Sequence, residues 1–270
     1  MNRLSIVIPA RNEPYLKQTI EDLLTKARGD IEIIAILDGY WPDAEDIVEN
    51  PKVKYIHFSP ARGMRNAINA GVSISTGNFI MKTDAHCMFS EGYDVELIRN
   101  SAPDWVVVPR RFPLIPEKWE IEARIDDKYP IDYMYLDKEL HGREWREKNT
   151  DPKLKERIVD ELMSFQGSCW FMPKSYYEKL ELMDEESYGE FYAEAQEIGL
   201  KAWLSGGRVM VNKNVWYAHW HKTEGRGYSL NKKQSEIGEK FVKNWRIKGM
   251  AWKNQKFDLE WLYNRFGSAL

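Results

Sequence analysis

Cysteine is scarce in this chain. Cys87 and Cys169 are the two in 270 residues. They are too few for a disulfide scaffold and are not spaced as a metal-binding pair, so free thiols are expected. Long apolar runs are missing as well; none nears the ~20 residues of a bilayer-spanning helix. No segment is low in complexity and no internal repeat occurs. A large excess of one charge is also absent, the formal net charge being -3, so the whole molecule is not marked as a partner of polyanions. The opening MNRLSIVIPARNE runs straight into a strand-like segment rather than a leader, and a cytoplasmic setting is expected. After that first strand, where a glycine-rich phosphate loop would sit, stands Arg11-Asn12-Glu13-Pro14. This counts against a nucleotidyltransferase.

What the chain has is apolar sequence, 43% of residues, enough to bury a large core. It also has eleven Trp and fourteen Tyr, a surplus that suits stacking on sugars or bases as well as core packing. Basic charge is concentrated late, with ten Lys or Arg against three Glu between His219 and Lys256. Trp220, Tyr228, Trp245 and Trp252 are interleaved there. Such a stretch fits a polyanionic or phosphate-bearing partner. The simpler alternative is an amphipathic helix that packs Phe241 and Trp245 on the body and turns its charges to water.

Along the chain, apolar runs of strand length alternate with helical spacings. Residues 4–9 read as a first strand, and Leu16, Ile20, Leu23, Leu24 and Ala27 recur at helical spacing after it. A second strand at 31–37 ends in Asp38-Gly39. A short helix is expected at 43–48, a strand at 53–58, and a helix opening at Gly63 with Met64, Ile68, Gly71 and Val72 on one face. A short strand on the apolar run 79–81, a helix at 91–99 and a strand at 105–109 follow. Residues 110–163 break the pattern with Pro113, Pro116 and Pro130, and are expected to be an excursion with one helix near 153–163. A strand at 168–172, a helix from Pro173 to Leu180, and a helix at 190–204 stopped by Gly206-Gly207 come next. Short strands at 208–211 and 215–219 close the pattern. This alternation predicts an α/β, Rossmann-like layered fold with a mixed, mainly parallel central sheet. Residues 1–222 form the expected main domain, and 223–270 a basic, aromatic-rich helical extension.

The central stretch is NFIMKTDAH, residues 78–86. Asp84 and His86 leave the end of a buried strand two residues apart, and extended chain sends such residues to one side. One carboxylate and one imidazole converging at a strand's carboxyl end make half a divalent-metal site, where open α/β sheets bind their substrates. A structural alternative is an Asp that caps the next helix beside an incidental His. A late strand supplies two further imidazoles, His219 and His221.

With Asp38, Asp84-x-His86 and this late His in place, the chain resembles nucleotide-sugar glycosyltransferases of the GT-A fold, of the family 2 type, over about residues 4–221. Asp84-Ala85-His86-Cys87 is similar to the metal-binding Asp-x-His of polypeptide N-acetylgalactosaminyltransferases. The resemblance implies a Mn2+ (or Mg2+) held by Asp84, His86 and His219, with His221 as the competing third ligand. It implies a UDP-sugar donor contacted by Pro9, Arg11, Asn12 and Glu13 after the first strand, by Asp38 at the uracil, and by Gly63, Arg65 and Asn66 at a helix start. Asp84 and Lys222 complete the donor side, and Glu194 is the acidic residue at the acceptor. Two departures are visible: Leu37 replaces the first of the family's two aspartates, and Tyr192-Ala193 replaces the Gly-Gly ahead of Glu194. The activity implied is transfer of a sugar to a hydroxyl. A metal on the diphosphate would offset the leaving group's charge. Glu194 would serve as general base in an inverting enzyme, or only position groups in a retaining one. The basic tail permits a hydroxymethylated base in DNA as acceptor. A glycan or lipid-linked acceptor at an anionic membrane surface is the second reading, and a non-catalytic nucleotide-sugar or DNA-binding module is the third.

Overall fold

The computed structural model describes residues 2–122, 130–222, 232–247 and 252–267. The chain opens with strand Arg3–Ala10 (β1), helix Leu16–Lys26 (α1) and strand Asp30–Asp38 (β2). Nearly every residue of the two strands is buried, because alternation feeds two layers at once. Leu4, Ile6 and Ile8 of β1 join Ile31, Ile33, Ala35 and Leu37 of β2 in a core with α1. Val7, Ile34 and Ile36 enter a second, larger core on the other face. That is why these strands read as unbroken apolar runs.

Strand Val53–Phe58 (β3), helix Met64–Ile74 (α2), strand Phe79–Thr83 (β4), strand Cys87–Phe89 (β5), helix Tyr93–Arg99 (α3) and strand Trp105–Ile115 (β6) follow. The excursion contains short strands Glu120–Ile121 (β7), Met134–Leu136 (β8) and Gly142–Glu144 (β9), then helices Arg146–Thr150 (α4) and Pro152–Lys155 (α5) and strand Val159–Glu161 (β10). Strand Cys169–Pro173 (β11), helices Lys174–Leu180 (α6), Glu185–Tyr188 (α7) and Glu194–Leu204 (α8), and strand Arg208–His219 (β12) complete the body. Helices Lys232–Ile247 (α9) and Leu259–Phe266 (α10) end the chain.

The main sheet runs β10-β12-β6-β11-β4-β1-β2-β3, with β5 paired to β12 and β7 to β6. β3, β2, β1 and β4 are parallel neighbours, and β12 is parallel to β6. β11 is antiparallel to both β4 and β6. The sheet is therefore mixed and mainly parallel, as expected. The carboxyl ends of β1, β4 and β12 and the amino end of β11 all reach one rim.

Several boundaries differ from expectation. The helix at 43–48 is a single turn, Ala44–Asp46. The helix near 153–163 stops at Lys155, and Val159–Glu161 instead pairs antiparallel with Met210–Asn212 at the sheet edge. A helical spacing there gives way to unpaired strand edge that a neighbouring segment can satisfy. The expected helix from 190 begins at Glu194: Ala193 is left-handed at φ 56, and the carbonyls of Glu190 and Tyr192 accept from Arg65. The two strands at 208–219 are one strand with a bulge between Asn212 and Trp216.

The tail is spent largely on packing. Phe241, Trp245, Trp252, Leu259, Leu262 and Tyr263 are buried in the larger core with α2, α6 and α8. The Trp245 indole donates to the Tyr188 hydroxyl at 3.0 Å. Trp245 and Trp252 are thus closed to base stacking and drop out of the expected aromatic platform, whereas Trp220 is partly buried at the end of β12. Tyr228 lies outside the described residues. Among the described residues no helix is long and apolar enough to cross a membrane.

Candidate metal and donor site

The rim encloses a cavity of about 460 Å³. Its lining includes Pro9, Glu13, Lys82, Asp84, His86, Gly167, Glu194, His219, Trp220, His221 and Lys222. Asp84, His86 and His219 each offer one ligand atom, all within 4.8 Å of one another. Backbone pairing sets this convergence. The Asp84 N–H donates to the Ser168 carbonyl at 2.9 Å, and the Trp220 N–H donates to the His86 carbonyl at 3.2 Å. His219 also pairs in register with Cys87 on β5. Residues 135 positions apart are thereby held side by side.

Each imidazole has its own environment. His86 Nδ1 lies 3.0 Å from Glu13 Oε2; a carboxylate accepts, so Nδ1 is the donor there and Nε2 is the ring atom left for a ligand. Glu13 Oε1 in turn accepts from Lys222 at 2.7 Å. His219 is 6% exposed. Its Nε2 sits 3.2 Å from Asp84 Oδ2, yet neither ring nitrogen makes an aligned hydrogen bond. Burial pushes its pKa down to about 3, against the pull of Asp84 upward, so the ring is neutral. A buried neutral imidazole with both nitrogens orphaned, beside a carboxylate and a second imidazole, fits a divalent cation. His221 stands apart from this set. Its Nε2 accepts from the Arg111 guanidinium at 2.8 Å, and its ring meets His219 edge-on.

The sequence reading missed Lys82. It is buried within β4, two residues before Asp84 and on the same side. Its ammonium donates to Asp84 Oδ1 at 2.7 Å, the Gly167 carbonyl at 2.8 Å and Glu194 Oε2 at 3.2 Å. Burial disfavours this charge, but Asp84 and Glu194 outweigh it and raise the Lys82 pKa. Burial likewise opposes ionisation of Asp84, yet the Lys82 ammonium holds its carboxyl well below the usual range. Glu194 goes the other way, since burial outweighs Lys82 and raises its pKa. Its Oε1 accepts from the Trp170 indole at 2.7 Å. A lysine inside an apolar strand was the available signal, because such residues are rarely buried unpaired.

Other expected donor residues are distributed differently. Pro9, Glu13 and Lys222 line the cavity. Asn12 is exposed at φ 52, and Arg11 is partly buried beside it. Asp38 is buried and accepts the N–H groups of Arg62 at 2.6 Å and Gly63 at 3.0 Å, shaping the turn into α2 where Gly63 has φ +93. Arg65 is fully buried away from the cavity lining. It pairs with Glu197 and donates to the Tyr192 carbonyl at 2.6 Å. Asn66 donates to the Arg62 carbonyl at 3.0 Å and to Glu185. The structure therefore corrects Arg65 as a cation facing the donor. Glu197 also holds Lys201, and the three charges tie α2 to α8.

This fold and site define a GT-A glycosyltransferase architecture. Residues 5–181 match the pattern described as Glycosyl transferase family 2, and the chain belongs to that family. An uncharacterized glycosyltransferase, EpsJ of Bacillus subtilis (strain 168), is 34% identical over 84 residues, covering 28% of this chain and 24% of EpsJ. GalNAc-T7, in a crystal structure with UDP, GalNAc and Mn2+, superposes with a TM-score of 0.74 at 17% identity, covering 99% of this chain and 57% of that one. S. aureus TarS 1-349 in complex with UDP-GlcNAc gives 0.58 at 15% identity, covering 99% and 73%. The chain thus spans a quarter of EpsJ in the matched stretch and just over half of GalNAc-T7.

Proposed function

We propose that the chain transfers a sugar from a UDP-sugar to a hydroxyl acceptor, with Asp84, His86 and His219 holding Mn2+ or a similar divalent cation. The observation that carries this reading is the orphaned, neutral His219 beside Asp84 and His86. The family and the UDP-bearing neighbours of like fold support it. Bound there, the cation would supply Lewis-acid neutralisation of the departing diphosphate. Glu13 orients His86 through Nδ1, and Lys222 adds a cation at the same edge. Pro9, Arg11, Asn12 and Glu13 form the donor's loop, with Asp38 and Gly63 fixing the turn beside it.

Glu194 is assigned to the acceptor. Its raised pKa suits a group that takes a proton from a hydroxyl. The remaining lining, with Met64, Met134, Phe165, Phe191, Gln166 and Gln196, is apolar or neutral. Among the described residues both lining lysines are ion-paired. These features favour an uncharged ring-bearing acceptor, such as a glycan, over a polyanion.

UDP release from UDP-sugars, with Mn2+ and with glycan, peptide or DNA acceptors, tests the reading. Asp84→Ala should abolish release without unfolding the protein. Glu194→Gln should lower kcat by about 10²–10⁴ and leave Mn2+-dependent UDP binding in place. Absence of such binding by the intact protein would sink the proposal.

A further inference from the structure

We propose that Lys82 is a positioning residue that keeps the metal site weak on its own, so that the cation is retained together with the donor diphosphate. This rests on the metal-dependent reading above. The three N–H groups of the Lys82 ammonium have three partners: Asp84 Oδ1, the Gly167 carbonyl and Glu194 Oε2. A saturated ammonium has no proton left for a substrate, so Lys82 acts through its neighbours. Two consequences follow for Asp84. One of its oxygens is spent on Lys82, leaving Oδ2, the oxygen 3.2 Å from His219, to face the cation. Its charge is also offset by a cation held at 2.7 Å, with both groups largely shielded from water.

The same ammonium fixes Glu194. Lys82 and the Trp170 indole hold its two oxygens, and Gly167 lies so close that a Cβ there would come within 2.8 Å of Oε2. Donor-side and acceptor-side carboxylates are therefore bridged by one side chain. Removing it returns the full charge and second oxygen of Asp84 to the metal while loosening Glu194. Metal affinity and turnover then move in opposite directions, which a merely structural lysine would not produce.

The test is Mn2+ binding to the full chain, read by the loss of free-ion signal in electron paramagnetic resonance, with and without UDP, for the intact protein and Lys82→Met. The intact protein should bind Mn2+ weakly alone and at least tenfold more tightly with UDP. Lys82→Met should bind Mn2+ alone at least tenfold more tightly than the intact protein, gain less from UDP, and show a lower kcat. In Lys82→Met/Glu194→Gln the buried carboxylate left behind is neutralised, so folding is protected, and the tighter binding of Mn2+ alone should persist. Unchanged or weaker Mn2+ binding in the double variant overturns the role of Lys82 while leaving the metal reading standing. No Mn2+ binding by the intact protein, with or without UDP, overturns both.

Discussion

His219 allows a sharp experiment, because a core histidine and a metal ligand predict opposite effects on stability. Both of its ring nitrogens are buried without an aligned partner. An unsatisfied buried polar group costs on the order of 1–3 kcal/mol, and an apolar group of the same size removes that cost. His219→Leu keeps the volume nearly constant. The metal-free variant should therefore match or exceed the intact protein, by up to about 3 kcal/mol. At roughly 2 °C per kcal/mol, the lower end of the range for chains a little shorter than this one, the melting temperature should stay level or rise by as much as about 6 °C. With Mn2+ and UDP the order should reverse. A ligand at a thousand times its Kd adds ~4.1 kcal/mol to the protein that binds it, more than the largest head start of the variant, which should gain none. Differential scanning calorimetry in chelator and in Mn2+/UDP measures both arms. A metal-free variant that melts well below the intact protein would refute the reasoning, since His219 would then be a satisfied core side chain hydrogen-bonded to Asp84.

Two further outcomes follow from buried charges away from the cavity. Glu32 accepts from Ser5, Thr76 and Lys54; burial opposes its ionisation, but these donors bring its pKa from 4.5 to about 2. Its contribution is therefore present above pH 4.5 and lost as pH falls toward 2, about 2 kcal/mol once screening of the half-exposed Lys54 is allowed for. Urea midpoints across this range should fall with acidification in the intact protein and vary less in Glu32→Gln. Arg65→Met removes one of the two cations paired with Glu197, leaving Lys201, and should cost about 3–5 kcal/mol, read as a lower melting temperature with Mn2+-dependent UDP binding unchanged. Weaker UDP binding at an unchanged melting temperature would return Arg65 to the donor site.

The parallel sheet was legible because β1 and β2 feed two cores from alternate positions, leaving apolar runs that only doubly buried strands show. Asp84 and His86 were legible because two residues of extended chain share a side. The choice of His219 over His221 was not, since both project alike from one strand; what separates them is Arg111, brought to His221 by the pairing of β6 with β12. Asp38 and Arg65 were named from resemblance, yet backbone amides occupy the first and Glu197 the second. Lys82 escaped notice because its partners lie 2, 85 and 112 positions away. The antiparallel β11 brings Gly167 to it, and α8 brings Glu194. The boundaries at 153–163 and 190–193 failed for a related reason: a sheet edge and the Arg65 side chain claimed backbone that local spacing assigned to helices.

The third proposed ligand, His219, arrives on β12, beyond residue 181 where the family pattern ends. A nascent polypeptide therefore carries Asp84 and His86 through 133 further residues until that side chain is made. On the proposed metal reading, fragments cut at the edge of the recognised pattern should lose the gain in manganese binding that UDP gives the full chain, whatever sheet they still form.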